Sequence, residues 1–124
     1  MSTRVLLVED DRLNLRALTI YLKLSGLWVE QAYDGFEALR KLARKRYDVV
    51  VSDLRMPGLN GIDLAKRIHN RLQRIPIVLI TGDPALPTMQ AIHEAGVLDL
   101  LTKPFMPAEL VKIIREQCPV IRAN

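Results

Sequence analysis

Short, almost purely aliphatic runs recur along this chain, and each stops abruptly at a polar residue. Val5-Leu-Leu-Val8, Val49-Val-Val51, Ile75-Pro-Ile-Val-Leu-Ile80 and Val97-Leu-Asp-Leu-Leu101 read as strands. Near-continuous apolar character belongs to strands buried on both faces, the situation of a parallel sheet covered by helices. Helical periodicity fills the gaps between them. Leu13, Ala17, Leu18, Tyr21 and Leu22 form the first pattern, stopped by Ser25-Gly26. Phe36, Leu39, Leu42 and Ala43 form the second, opened by Asp34 and Glu37 at capping-box spacing. Ile62, Ala65, Ile68 and Leu72 follow a cap at Asn60, and Leu110, Ile113, Ile114 and Gln117 follow Pro107, which suits a first helical turn. Pro84-Ala-Leu-Pro87 should delay and shorten the remaining helix, which ends at Gly96.

Trp28-Val-Glu-Gln-Ala-Tyr33 mixes polar with apolar residues and is therefore expected at a sheet edge. Alternating strands and helices with right-handed crossovers predict a single α/β domain, a (βα)5 doubly wound parallel sheet. If the second strand is an edge, the chain reverses direction between strands one and three. The expected order is 2-1-3-4-5, flavodoxin-like, with a switch point between strands one and three.

A chain of 124 residues, 49% hydrophobic and 26% charged, is one ordinary globular domain and is neither disordered nor fibrous. The sequence runs only to Pro119-Val-Ile-Arg-Ala-Asn124 past the last helix, so the expectation is one domain over 1–124 with no room for an output domain. Cys118 is the sole cysteine, which excludes an internal disulfide or a cysteine metal cluster, and it is expected as a small apolar filler. No apolar stretch approaches the roughly 20 residues of a membrane helix, and Met1 to Asp10 lacks a secretory pattern. A cytoplasmic protein is expected. The +4 net charge is concentrated in Arg40, Lys41, Arg44, Lys45 and Arg46 and in Lys66, Arg67, Arg71 and Arg74. No aromatic residues are interleaved for base stacking, so these read as solvated helix faces rather than a nucleic-acid surface.

Ligands of open α/β sheets sit beyond the carboxyl ends of the strands at the switch point. There the strands end in Glu9-Asp10-Asp11, Ser52-Asp53, Thr81-Gly82-Asp83 and Thr102-Lys103-Pro104. Asp11 alone could cap the first helix, Thr81 and Asp83 a turn, and Lys103 could be solvated. Together, however, the fold brings all four ends to one rim. Carboxylates of Glu9, Asp10 and Asp53 would repel one another without a cation, and a hard divalent ion such as Mg²⁺ fits oxygen ligands of this type. Lys103 adds a mobile positive charge and Thr81 a hydroxyl donor. A cation, an ammonium and a hydroxyl around one carboxylate make a site for an aspartyl phosphate.

From about Arg4 to Gln117 the chain resembles the receiver domains of two-component response regulators. The resemblance rests on Val5-Leu-Leu-Val-Glu-Asp-Asp11, Asp48-Val-Val-Val-Ser-Asp-Leu-Arg-Met-Pro-Gly58 with Gly61, Pro76-Ile-Val-Leu-Ile-Thr-Gly82 and Leu100-Leu-Thr-Lys-Pro-Phe105. It implies that Asp53 is the phosphoacceptor, that Glu9, Asp10, Asp53 and the Arg55 main-chain carbonyl hold Mg²⁺, and that Thr81 and Lys103 contact the phosphoryl group. It also implies a cis bond before Pro104, a histidine kinase or phosphotransfer protein as donor, and a downstream protein or output domain as reader. The face of helix four, strand five and helix five would change shape, and a phosphorylation-dependent homodimer is compatible with the family. Leu100 departs from the pattern, standing where most members carry tyrosine or phenylalanine. Arg55 and Asp83 are expected to flank the path of water to the phosphorus.

Three other readings are weighed against this one. A haloacid-dehalogenase-type enzyme would need a second aspartate where Arg55 stands. A flavodoxin-like nucleotide module would need a glycine-rich loop where Glu9-Asp10-Asp11 stands. An adaptor binding partners without phosphorylation is the alternative function, opposed by intact Asp53, Thr81 and Lys103. The chain is thus read as a phosphoacceptor rather than an enzyme acting on other substrates. His69 and His93 fall in helical segments away from the strand ends and are expected as surface or partly packed side chains.

Overall fold

Three of the four aliphatic runs form the centre of one sheet, and the fourth, ending at Leu101, supplies the edge opposite the strand that begins at Trp28. The computed structural model describes residues 2–71, 75–82 and 89–118. In chain order these build β1 (Arg4–Val8), α1 (Arg12–Leu24), β2 (Trp28–Ala32), α2 (Gly35–Leu42), β3 (Val49–Asp53), α3 (Gly61–Arg71), β4 (Ile77–Thr81), α4 (Met89–Glu94), β5 (Asp99–Thr102) and α5 (Pro107–Gln117). All four strand pairings are parallel, in the order β2-β1-β3-β4-β5. The polar-apolar β2 lies at an edge as expected, and the chain reverses between β1 and β3.

Alternate residues of each strand face opposite layers. Leu6, Val8, Val50, Ile77 and Leu79 pack with Ala38, Leu64, Ile68 and Ile92 from α2, α3 and α4. Val5, Leu7, Val49, Val51, Val78 and Ile80 pack with Leu15, Leu22, Leu110 and Ile114 from α1 and α5. Each fully buried side chain of this kind contributes about 1.5–3 kcal/mol relative to exposure. β3 and β4 are buried along their whole lengths, so the polar residues at their carboxyl ends are anchored in the interior of the sheet.

Two strands start later than their apolar runs. Pro76 has no N–H to contribute, although its carbonyl accepts from Val50, and the ladder with β3 takes up Ile77. The Val97 amide donates to the Ile92 carbonyl to close α4, so β5 begins only at Asp99.

Helix caps follow their residue types. Asp11 accepts from the amides of Leu13 and Asn14, and Asn60 accepts from Asp63. Asp34 accepts from Glu37, but the Glu37 carboxylate reaches the Tyr33 amide, one residue before the cap, rather than closing the reciprocal box. Pro107 opens α5, where Glu109 accepts from the Met106 amide. The Lys103–Pro104 bond is cis. Leu72 and the segment 83–88, including Asp83 and the Pro84–Pro87 stretch, lie outside the described residues, as does 119–124.

Two helix faces differ from the expected ones. In α1 the buried positions are Leu15, Thr19 and Leu22, whereas Leu13 is 80% exposed and Tyr21 38%. Apolar residues surround most of α1, so periodicity alone admits a stripe shifted to the outside. In α2, Gly35, Ala38 and Leu42 face the core, while Phe36 is turned outward. Because α2 stops at Leu42, Arg44, Lys45 and Arg46 lie in the turn after it rather than on a helix face. Lys45 there pairs with Glu30 at 2.9 Å and lies over the Trp28 ring, which Arg4 also covers at 4.2 Å.

Candidate functional site

The carboxyl ends of β1, β3, β4 and β5 meet on one rim, and their polar residues converge. Glu9 follows β1, its amide donating to the Ala32 carbonyl of β2 at 3.0 Å. Its side chain is buried and Oε2 accepts from the Asp11 amide at 3.1 Å. Asp11 is thereby committed to two local tasks, donating its amide to Glu9 and capping α1, and its carboxylate turns from the cluster. Asp10 is exposed. One carboxylate oxygen from each of Glu9, Asp10 and Asp53 lies within 4.8 Å of the others.

Asp53 ends β3 and is 9% exposed. Its backbone is fixed from both sides. The next amide, Leu54, donates to the Ile80 carbonyl at 2.8 Å, and the buried Ser52 hydroxyl donates to the Asp53 carbonyl at 2.9 Å. The loop beyond folds down because Leu54, Met56 and Leu59 are buried in the core on the α2–α3 side. Gly58 turns it at φ +80°, a conformation that favours glycine. The Gly61 amide returns to the Leu54 carbonyl at 2.9 Å. A Cβ at Gly61 would lie 2.7 Å from the Asp53 carbonyl oxygen, so α3 can start this close to the acceptor only on a residue without a side chain.

Opposite, β4 and β5 deliver Thr81 and Lys103. The Lys103 amide donates to the Thr81 carbonyl at 2.7 Å, extending their pairing past the strands. Lys103 Nζ lies 3.0 Å from Asp53 Oδ1 and 3.9 Å from Glu9 Oε1. Thr81 is buried. Asp53, Arg55, Thr81, Gly82 and Lys103 line an open cavity of about 390 Å³.

The electrostatics describe buried carboxylates that repel one another. Burial first, and then the charge of Asp53, push the Glu9 carboxyl from its ordinary 4.5 up to about 7. Burial also raises Asp53, and the Asp10 charge adds to this, with Lys103 pulling the other way. Burial opposes the charge on Lys103, but its hydrogen bond to Asp53 and the charges of Asp53, Glu9 and Asp10 outweigh that and raise it. The Lys103 ammonium faces both Asp53 and Glu9. The oxygen-only donor set of Glu9, Asp10 and Asp53 and the mutual repulsion of these carboxylates fit a small hard divalent cation.

Every residue expected at the site is at this rim, except Asp83, which lies outside the described residues. His69 and His93 lie away from it: His69 is half-buried at the end of α3 and contacts Gly96, and His93 is exposed. Cys118 is half-buried with Sγ 3.1 Å from the Asp48 carbonyl, and burial, then Asp48, push its thiol up to about 11. It has no part in the site.

Sequence reasoning missed the surface beside the rim. Leu13, Ile20 and Leu24 are 80%, 52% and 84% exposed on α1. A groove of about 500 Å³ runs between α1 and the turn after β5, lined among others by Ala17, Tyr21, Lys103, Pro104 and Phe105. The available signal was an α1 sequence too apolar to be satisfied by one buried face.

The family model for the response regulator receiver domain matches residues 5–115. The chain belongs to the response-regulator receiver family. This receiver domain is 36% identical over 115 residues to the response regulator MprA of Mycobacterium ulcerans, a match covering 93% of the chain and 50% of that relative. The chain therefore spans about half the length of the curated relatives it matches. Among solved structures, the receiver domain is similar to the chemotaxis protein CheY4 of Vibrio cholerae, with 31% identity, a TM-score of 0.86 and coverage of 94% and 98% of the two chains. It is equally similar, at 31% identity and a TM-score of 0.85 over 95% and 98%, to the receiver domain of a sensor histidine kinase of Pseudomonas aeruginosa. That protein was solved with a magnesium ion coordinated in its active-site cleft. The receiver domain is thus a signalling module of two-component systems, a class whose members interact with histidine kinases and output partners. Among the described residues no helix is long and apolar enough to cross a membrane.

Proposed function

We propose that this receiver domain accepts a phosphoryl group on Asp53 from a phosphohistidine of a sensor kinase or phosphotransfer protein. The observation that carries the reading is the Lys103 ammonium 3.0 Å from Asp53, with Glu9 and Asp10 converging on the same carboxylate. Glu9, Asp10, Asp53 and the main-chain carbonyl of Arg55 would hold Mg²⁺. When bound, the ion supplies charge neutralisation for the carboxylates and for the transferring group.

The step needs positioning more than covalent chemistry. A carboxylate oxygen of Asp53 attacks phosphorus in line with the P–N bond of the donor. As the P–O bond forms, the P–N bond breaks, and the donor imidazole leaves with the electron pair and picks up a proton. Lys103 exchanges part of its bond with Asp53 for a phosphoryl oxygen, so its positive charge is in place before the reaction begins. The Thr81 hydroxyl donates to another. The rigid ends of β3, β4 and β5 keep these three groups from drifting apart.

The donor docks beside the rim, on the apolar stripe of α1 and the groove next to Phe105. Arg12, Arg16 and Lys23 flank that stripe, and α1 carries no acidic residue, so the surface fits an amphipathic helix with acidic flanks. The output is carried by a partner protein or by sequence outside residues 1–124. Incubation with acetyl phosphate should add one phosphoryl group in the presence of Mg²⁺, seen by intact mass, and none when EDTA replaces it. Equal labelling in both samples would refute the metal-dependent step.

A further inference from the structure

Away from the rim, a side chain in the last turn of α3 reaches the turn that follows α4. The half-buried His69 places Nε2 2.9 Å from the Gly96 carbonyl oxygen. A carbonyl can only accept, so Nε2 is a nitrogen that carries a hydrogen. Gly96 is also the residue that closes α4. It has φ +84°, its amide donates to the His93 carbonyl, and the following Val97 amide donates to the Ile92 carbonyl. This is the pattern of a helix stopped by a left-handed glycine. Position 96 has a second reason to be glycine, since a Cβ there would overlap the His69 ring. Ring and turn are therefore fitted to each other by a hydrogen bond and by direct packing.

We propose that His69 is a pin: its Nε2–H holds the Gly96 carbonyl and fixes the C-terminal end of α4 against α3, so that displacement of α4 becomes rotation about that end. The described part of the helix runs from Met89 to Glu94, and its C-terminal end is tied by two backbone bonds and the imidazole. Ile92, Ala95 and Val97 are buried in the same core cluster as Ile68, the neighbour of His69, so the pinned end is packed as well as hydrogen-bonded. His69 is a positioning residue, remote from the phosphoacceptor. Its effect on the switch rests on the function proposed above, but the pin itself does not.

Two readouts separate these claims. In the protein without ligand, His69→Ala should speed hydrogen exchange of the Gly96 and Val97 amides by about fivefold, the worth of one net hydrogen bond. Gly26, which closes α1 by the same type of amide bond to Lys23, should be unaffected. His69→Gln, which keeps an N–H donor, should restore much of the protection, and the wild-type imidazole should show the Nε2–H tautomer by ¹⁵N shifts. Unchanged exchange at 96 and 97 in His69→Ala, or acceleration shared equally by Gly26, would overturn the pin. With beryllofluoride and Mg²⁺, wild-type amide shifts should fall on Gln90 and Ala91 and spare Gly96 and Val97, whereas in His69→Ala they should spread to both. Larger wild-type shifts at Gly96 than at Gln90 would overturn rotation about this end. A missing response at Leu54, beside the acceptor, would count against the phosphoacceptor reading, and amide exchange would still decide the pin.

Discussion

Lys103 Nζ rests 3.0 Å from Asp53 Oδ1, on a carboxylate that burial and Asp10 together raise above the ordinary range. In the proposed transfer, the ammonium favours the anionic form of the buried Asp53 and stands where charge develops. Lys103→Ala should therefore slow labelling by acetyl phosphate by about 10²–10³-fold, the usual effect of removing one preorganised electrostatic group. It should leave far-UV circular dichroism unchanged. Labelling within a factor of two of wild type would show that Lys103 does not act on the step.

Glu9 should make metal-free stability depend on pH. Its carboxyl titrates near 4.5 when unfolded and near 7 when folded, because burial and then Asp53 disfavour the charged form. Between those values the folded protein holds a proton that the unfolded chain has released. Stability should thus rise as pH falls from above 7 toward 4.5, with the cost of the buried carboxylate fully present above 7. Asp53, also raised, acts in the same direction. Lys103 acts in the alkaline window, where its stabilising charge is lost as pH rises through its raised value. Urea midpoints at pH 5.5 and 8 should differ in wild type and much less in Glu9→Gln. Saturating Mg²⁺ should remove most of the wild-type difference. An unchanged slope in Glu9→Gln would contradict the assignment.

Gly61→Ala should be costly in stability and in labelling together. The added methyl would lie 2.7 Å from the Asp53 carbonyl oxygen and 2.9 Å from Leu79 Cδ2, both within the tightest part of the fold. Overpacking of this kind costs about 1–3 kcal/mol. Denaturant melts would show that loss, and acetyl phosphate labelling should fall because one of the atoms the methyl would displace belongs to the Asp53 backbone. Wild-type stability would mean that the loop between β3 and α3 yields freely.

Much of this site is legible in the sequence because strands buried on both faces cannot hide where they end. An aliphatic run that meets Glu9, Asp53, Thr81 or Lys103 marks the rim as clearly as a contact does, and the polar β2 marks the edge that fixes strand order. Helix faces are less legible. Leu13 and Leu15 have the same chemistry two residues apart, and only packing against β1 and β2 decides that Leu15 turns inward. The His69–Gly96 contact leaves no local signature at all, since its partners are 27 residues apart and owe their meeting to the crossover between α3 and α4.

Leu100 should contribute to stability but not to chemistry. It is half-buried against the core and, having neither ring nor hydroxyl, can offer the region around Thr81 only dispersion contacts and burial. Leu100→Ala should cost about 1–2 kcal/mol, the value of that burial. Its labelling rate with acetyl phosphate should match wild type. In wild type, amide shifts on adding beryllofluoride should be smaller at Leu100 than at Gln90. A labelling defect in Leu100→Ala without loss of fold would give Leu100 a part in the reaction.

The most direct test of the central claim is chemical trapping of the acyl phosphate. Protein labelled with acetyl phosphate and Mg²⁺ is treated with borohydride, which reduces an aspartyl phosphate to homoserine while leaving free carboxylates intact, and the peptides are then sequenced by mass spectrometry. The account predicts homoserine at position 53 and at no other aspartate. Homoserine at Asp10 or Asp11, or labelled protein with an unmodified Asp53, would contradict it.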